Sequence, residues 1–153
     1  MHLTTKGQYA SRAMLDLSLH FDEGPQSIEI IAQRQDIPKK YLEQVLLSLK
    51  SARLVYSARG RQGGYLLARP PELITLGEII RATDGPLAPI SCVSQTAYRP
   101  CTCPDQSRCA LRPTWLEVRN AIAQVLDNTT MADLVERSLQ CGGGLPDEPM
   151  YYI

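Results

Sequence analysis

The chain has 153 residues, of which 44% are hydrophobic, and its 16 basic side chains balance 16 acidic ones. This size and composition are typical of one globular domain, or of a small domain with an added element, and they argue against a disordered protein. No apolar run is long enough to cross a bilayer and the N-terminus lacks the layout of a signal peptide, so we expect a cytoplasmic protein that does not bind a membrane.

The first third of the chain predicts three short amphipathic helices. Apolar residues recur at helical spacing through residues 10–21, and Thr4 or Thr5 can cap this first helix. Ser27 can cap a second helix, and Pro38 suits the first turn of a third. The third helix carries an apolar stripe of Leu42, Val45, Leu46 and Leu49.

Two strand-like segments, LVYSAR and YLLA, follow the third helix and are separated by a glycine-rich stretch. Glycine permits the backbone angles of a tight turn, so these segments predict a hairpin with a basic tip. Residues 74–83 (ITLGEIIRAT) then predict another short helix capped by Thr75.

Two more helices are predicted in the last third of the chain. The first has apolar residues spaced four, three, four and three apart, a pattern typical of a helix that packs lengthwise against another helix. These candidate dimerisation residues are Leu111, Trp115, Val118, Ile122 and Val125. Met131, Leu134, Val135 and Leu139 mark the final helix, and the Gly/Pro-containing tail after it is expected to fray.

The order helix, helix, tight turn, helix and glycine-rich hairpin is that of a winged helix-turn-helix. Residues 1–69 carry ten basic and six acidic side chains, and the rest of the chain carries six basic and ten acidic ones. Double-stranded DNA is therefore the expected partner of the basic half, although a solvated helix face and a solvated turn would show the same charges. The candidate DNA-binding residues are Lys39, Lys40, Tyr41, Glu43, Gln44, Arg59 and Arg61.

Each candidate has a chemistry suited to DNA. Lysines at the start of the third helix can contact phosphate or guanine, and Gln44 can pair with adenine. Glu43 repels phosphate, so its expected role is to accept a hydrogen bond from cytosine and to penalise other bases. Arg59 and Arg61 flank Gly60 at the hairpin tip, where they can reach an adjacent minor groove.

Four of the five cysteines lie in residues 91–109, SCVSQTAYRPCTCPDQSRC, which show no periodicity and predict a loop outside the core. In a reducing cytosol such a cluster is more often metal-binding or redox-active than a disulfide framework. The candidate metal ligands are Cys92, Cys101, Cys103 and Cys109. Zinc is one alternative, but the short paired spacings of usual zinc sites are missing, and unligated redox thiols are another. Cys141 stands apart and is expected to be a bystander.

Three segments carry a family resemblance: LTTKGQYASRAMLDLSLH, IPKKYLEQVLLSLKSARLVYSARGRQGGYLLARP and ITLGEIIRATDG. They resemble the IscR, NsrR, RirA and CymR group of bacterial winged-helix regulators, IscR most of all, and the resemblance runs to about Glu136. It implies a homodimer that binds a near-palindromic operator. It also implies that Lys40 and Glu43 lie near the bases and that Arg59 is the minor-groove arginine.

The resemblance also bears on the cysteines, because most iron–sulfur members of the group carry three in this loop. It assigns those places to Cys92, Cys103 and Cys109, and Cys101 has no usual counterpart. Where IscR has a histidine ligand this chain has Arg112, and where NsrR has an aspartate ligand it has Gln8. The implied cofactor is an iron–sulfur cluster, [2Fe–2S] or [4Fe–4S], with Cys101 as fourth ligand or with incomplete coordination.

The predicted fold is mainly α with a small β-hairpin wing. We expect a winged helix-turn-helix DNA-binding domain in residues 1–84, a cysteine-rich sensor loop in 85–110, the long dimerisation helix and a following helix in 111–140, and a flexible tail in 141–153. The expected function is a homodimeric transcription regulator that senses cluster status, iron, or oxidative or nitrosative stress. The alternative is a cluster-free regulator controlled by thiol oxidation or by a partner protein.

An enzyme with a cysteine nucleophile is the remaining function class, and the sequence disfavours it. His2 and His20, the two histidines, fall before or within the first helix. No Ser-His-Asp arrangement is evident and no glycine-rich phosphate loop follows a strand.

Overall fold

The computed structural model describes residues 2–142, and within them the chain forms six α-helices and one antiparallel hairpin. This architecture confirms the predicted mainly α fold with a β-hairpin, and residues 143–153 of the predicted tail lie outside the described part. Short 3-10 turns occupy Phe21–Glu23, Pro71–Leu73 and Ser91–Val93. In chain order the elements are α1 (Thr5–Leu19), α2 (Ile28–Gln35), α3 (Lys39–Ser51), β1 (Val55–Ala58), β2 (Gly64–Leu67), α4 (Leu76–Thr83), α5 (Leu111–Asp127) and α6 (Met131–Gln140).

Side-chain caps fix where several helices begin. Thr4 Oγ1 accepts a hydrogen bond from the Gly7 amide at 3.2 Å, and Ser27 caps α2 in the same way. Thr75 and Glu78 form a reciprocal capping box, so α4 begins after Thr75 and not at the start of the predicted segment.

The turn between α2 and α3 consists of residues 36–38. Asp36 adopts the left-handed conformation, with φ at 49°, which an aspartate tolerates better than most side chains do. Ile37 is buried beneath the turn and Pro38 precedes the first residue of α3. The turn therefore closes α2 onto α3 in three residues, as a helix-turn-helix requires.

The core lies between α1, α2, α3, α4 and the hairpin, and the apolar stripe predicted for α3 faces it. Leu42, Val45, Leu46 and Leu49 are all fully buried. Helix α6 joins this core by packing on α1, because its Met131 is fully buried there. The division into a DNA-binding unit and a separate unit of α5 and α6 stays a prediction.

An ion pair in the interior joins α1 to α2. Asp16 is 1% exposed, and Arg34 donates to both of its carboxylate oxygens, at 3.0 and 2.6 Å. Gln35 donates to the same carboxylate at 3.1 Å, and Arg34 also donates to Gln26 Oε1 at 2.9 Å. Every strong acceptor of the buried carboxylate thus has a partner, which a buried charge requires.

A second ion pair fastens the last turn of α5 to α4. Arg81 donates to both oxygens of Asp127, at 2.5 and 2.8 Å. These hydrogen bonds hold the pKa of the Asp127 carboxyl below its usual range. Gly77 allows the close approach, because a Cβ at that position would overlap the Asp127 carboxylate. The C-terminal end of α5 is therefore anchored.

The residue that ends α4 also contacts the start of α1. Asp84 accepts hydrogen bonds from the Thr4 backbone amide at 2.8 Å and from the Thr4 hydroxyl at 2.5 Å. A carboxylate at a helix N-terminus is favoured by the helix dipole. The cysteine-rich segment therefore begins from a residue that is bonded to α1.

Candidate functional site

Helix α3 presents the predicted base-reading residues to solvent. Lys40, Glu43 and Gln44 are exposed, on the side of α3 away from its buried apolar stripe. Leu47, on the same helix, is 65% exposed although it is apolar. This surface is free of other parts of the described chain, and the base contacts assigned to it stay predictions.

Lys39 differs from its neighbour Lys40 because it already has an acidic partner. Its Nζ lies 2.5 Å from Glu29 Oε1 on α2, and both side chains are at least half exposed. The hydrogen bond to Glu29 raises the pKa of Lys39. A contact from Lys39 to DNA would have to compete with this ion pair, which Lys40 does not face.

Tyr41 has a structural role that the sequence did not reveal. Its ring meets the edge of Tyr9 from α1 at a centroid distance of 5.3 Å and an angle of 90°. The Arg12 guanidinium lies 5.6 Å from the centre of the Tyr9 ring. The aromatic contact therefore connects the first helix to the beginning of α3, where DNA contacts are predicted, and the cation–π contact within α1 adds to the surroundings of Tyr9.

The hairpin has the shape predicted for a wing. Strands β1 and β2 pair from Val55 with Leu67 to Ala58 with Gly64, and Arg59 and Arg61 are exposed in the connecting turn. Gly60 adopts φ 114°, a conformation that side-chain-bearing residues rarely adopt, between these two arginines.

The wing is held from two sides. On one side Lys50 of α3 donates to the Ser57 hydroxyl of β1 at 2.7 Å. On the other, the Gln26 and Tyr65 backbones exchange two hydrogen bonds, at 3.0 and 2.8 Å. Since Gln26 also accepts from Arg34, the wing position is connected to the buried ion pair of α1 and α2.

We expect Arg59→Ala to weaken operator binding and to make the plot of log affinity against log salt shallower by about one charge contact. The physical reason is the loss of one exposed guanidinium that is predicted to face DNA from the wing. Fluorescence anisotropy over a salt series measures both quantities, and Arg137→Ala on α6 is the charge-matched control. An unchanged slope would mean that Arg59 is only a solvated turn residue.

The cysteine-rich segment is partly attached to the folded core. Cys92 is 5% exposed and lies in the short turn Ser91–Val93, which packs against α5. Arg112 of α5 donates a long hydrogen bond to the Cys92 carbonyl at 3.5 Å. The prediction that the whole segment lies outside the core is wrong for Cys92, because its turn packs against α5, and periodicity does not detect contacts between distant segments.

The pKa values of Cys101 and Cys103 depend on the neighbouring candidate ligands. Interaction with the Cys103 thiol lowers the pKa of Cys101, with a smaller contribution from Cys92. Interaction with the Cys101 thiol, and to a smaller extent with Cys109, raises the pKa of Cys103 to about 11. We term these four thiols, which influence one another in the order 92, 101, 103 and 109, the thiol series.

The thiol series differs from a metal cage in one respect. Within residues 2–142, no three His, Cys, Asp or Glu side chains are arranged to hold one metal ion. As a donor set the thiols suit an iron–sulfur cluster, because thiolates are its usual protein ligands. Cys141 is exposed beyond α6.

The predicted dimerisation stripe on α5 has no cover within the described chain. No residue of α5 is fully buried, although the helix is 17 residues long. Leu111 and Val125 are 66% and 64% exposed, and Trp115 and Val118 are each 37% exposed. Ile122 is half-buried. A row of large apolar side chains left open to solvent is typical of a surface that another protein chain covers.

Comparison with a protein-family profile matches residues 3–137 to Rrf2, described as iron-dependent transcriptional regulators. The regulator CymR of Bacillus subtilis is 36% identical over 153 residues, which is 100% of both chains. The regulator IscR of Erwinia tasmaniensis is 38% identical over 135 residues, covering 88% of this chain and 79% of that protein. The IscR/CymR resemblance stated from the sequence is thereby confirmed.

Solved structures agree with these sequence matches. The structure of CymR of B. subtilis, described as a global cysteine regulator, superimposes with a TM-score of 0.76 over 90% of this chain and 98% of that one. The T. potens IscR structure has a TM-score of 0.73, with 36% identity, over 99% and 97% of the two chains. Within residues 2–142, no helix is both long and apolar enough to cross a membrane.

Proposed function

The chain belongs to the Rrf2 family, whose members are DNA-binding transcriptional regulators and not enzymes, and from that premise we propose that it is a homodimeric cluster sensor. In this proposal an iron–sulfur cluster on the cysteine loop reports cluster supply, iron, or oxidative or nitrosative stress. The regulator acts in the cytoplasm on a near-palindromic operator.

The thiol series is the observation that supports a cluster. The family resemblance assigns ligand places to Cys92, Cys103 and Cys109, and the pKa of Cys101 responds to both Cys103 and Cys92. Iron binds thiolate and not thiol, and the interaction with Cys103 makes Cys101 easier to deprotonate. Cys101 is therefore our choice of fourth ligand.

The exposed stripe of α5 supports the dimer. Trp115, Val118 and Ile122 follow helical spacing, so two copies of α5 can bury their stripes against each other. A twofold dimer presents two copies of α3 and two wings, and such symmetry matches an operator with two related half-sites. Cluster binding would regulate DNA binding if the two states differ in operator affinity.

Anaerobic reconstitution with ferrous iron and sulfide tests the proposal. We expect a visible absorption band, and we expect its loss in Cys92→Ala, Cys103→Ala and Cys109→Ala. Cys141→Ala is the matched control and should keep the band. Operator affinity is then compared with and without cluster. A protein that stays colourless, and whose DNA affinity does not change when iron and sulfide are added, would rule out cluster sensing.

The second candidate function is a cluster-free thiol switch, and the linked pKa values of Cys101 and Cys103 favour it. Cys101 has a lowered pKa, and the Cys103 thiol is the main cause. Peroxide can take two electrons and two protons from two such thiols, which then form a disulfide.

The two candidates make different predictions for one variant. If the switch is oxidative, Cys101→Ser should abolish the effect of peroxide on operator binding while the reduced protein binds DNA normally. Control by a partner protein would instead leave the purified regulator insensitive both to peroxide and to iron and sulfide.

A further inference from the structure

A small cavity lies between the start of the cysteine loop and helix α5. Two arginines, Arg81 of α4 and Arg119 of α5, line it, together with Leu87, Ser94, Gln95 and Thr96 from the loop. The centre of a water-sized molecule can occupy about 20 Å³ inside this cavity. Since about 10–15 Å³ suffices for one water, the cavity has room for a single small atom group.

Arg119, one of the residues that line this cavity, has a buried donor without an acceptor. Arg119 Nε has no hydrogen-bond partner in the part of the chain that the structure describes, and no ion pair of Arg119 occurs there. A buried N–H of a guanidinium left unpaired costs more than a neutral one, because the charge is poorly solvated as well. The site therefore favours an acceptor that also carries negative charge.

The other polar groups of the cavity leave that positive charge uncompensated. Both carboxylate oxygens of Asp127 are already bonded to Arg81, and no acidic side chain lines the cavity. The Ser94 hydroxyl oxygen accepts from the Ala97 amide at 3.0 Å, so its O–H is free to donate. Ser94 is itself 8% exposed, which makes it a buried second donor.

We propose that this cavity binds one oxygen of a small anion, a carboxylate or an inorganic oxyanion, through Arg119 and Ser94. Nε and the neighbouring Nη of a guanidinium form an edge that matches two oxygens of such an anion, here one in the cavity and one at its mouth. The rest of the ligand lies at the cavity mouth, because the cavity itself admits one oxygen. The bound anion connects the loop two residues after Cys92 to the middle of α5. This site is independent of whether the thiols bind a cluster.

Thermal melting of the cluster-free protein without DNA tests the site. Sodium acetate and sodium sulfate serve as probes at constant ionic strength, so that a carboxylate and an inorganic oxyanion are compared. At about five times the dissociation constant we expect Tm to rise about 2–4 °C more than in Arg119→Gln. Arg137→Gln, which removes an exposed arginine from α6, should respond as the unchanged protein does.

The general stabilising effect of sulfate acts on all three proteins alike and is removed by the comparison. An equal rise in all three, or a rise in none, would overturn the proposal. Should Arg119→Gln fail to fold, NMR of the arginine Nε–H groups in the unchanged protein decides. A saturable shift of the Arg119 signal supports anion binding, and no shift means that the cavity holds only water.

Discussion

Replacing Asp16 with alanine is expected to lower the free energy of unfolding by about 3 kcal/mol. The variant leaves the Arg34 guanidinium without the two carboxylate oxygens that it contacts at 3.0 and 2.6 Å. Breaking a buried ion pair from one side costs about 3–5 kcal/mol, and the lower value applies because the Arg34 side chain is 29% exposed. Urea unfolding at fixed protein concentration measures the change.

A double-mutant cycle separates the interaction energy of the ion pair from the other effects of each substitution. Asp16→Ala combined with Arg34→Ala should lose less stability than the sum of the two single variants, because the double variant has no unpaired charge. Asp22→Ala, which removes an exposed acid near the end of α1, should change stability by less than about 0.5 kcal/mol. Additive losses would mean that Asp16 and Arg34 do not stabilise each other.

The substitution Val118→Asp on α5 is expected to convert the proposed dimer to monomers and to reduce operator affinity by about 100-fold or more. The new carboxylate lies in the middle of the exposed apolar stripe, where a partner helix would have to bury it without a counter-charge. Val118 is 37% exposed in the single chain, so the monomer itself should fold normally. Analytical ultracentrifugation and DNA titration measure the two effects.

Asn120→Asp is the matched control, because it adds the same charge to an exposed position on a different face of α5. That variant should remain dimeric and should bind operator nearly as well as the unchanged protein. If Val118→Asp stays dimeric, the stripe on α5 is not the dimer interface, and the interface must use another surface.

Local patterns predicted the elements well because each depends on neighbouring residues. The stripe of Leu42, Val45, Leu46 and Leu49 is fully buried, and Thr4, Ser27 and Thr75 cap the helices for which they were proposed. Hydrophobic spacing and cap geometry act within one or two turns of chain, so one sequence is sufficient to recognise them.

Contacts between distant residues were not predictable in the same way. Nothing in the sequence around Asp16 distinguishes it from a solvated acid, because its partner Arg34 lies on another helix. The packing of Met131 on α1 and the unpartnered Arg119 Nε likewise depend on how helices far apart in sequence meet. The ligand places of the cysteines came from the family resemblance, whereas their order in the thiol series required coordinates.

The ion pair between Arg81 and Asp127 holds one end of α5 in place. A helix of 17 residues is about 25 Å long, and this one is held at its C-terminal end while its N-terminal end begins two residues after Cys109. A tilt of about 5° around the held end moves the other end by about 2 Å, by the geometry of a rigid rod of that length. A displacement at the thiol end therefore decreases along α5 toward the ion pair, across the surface where two chains would meet in the proposed dimer, and a single substitution at Arg81 removes the held end.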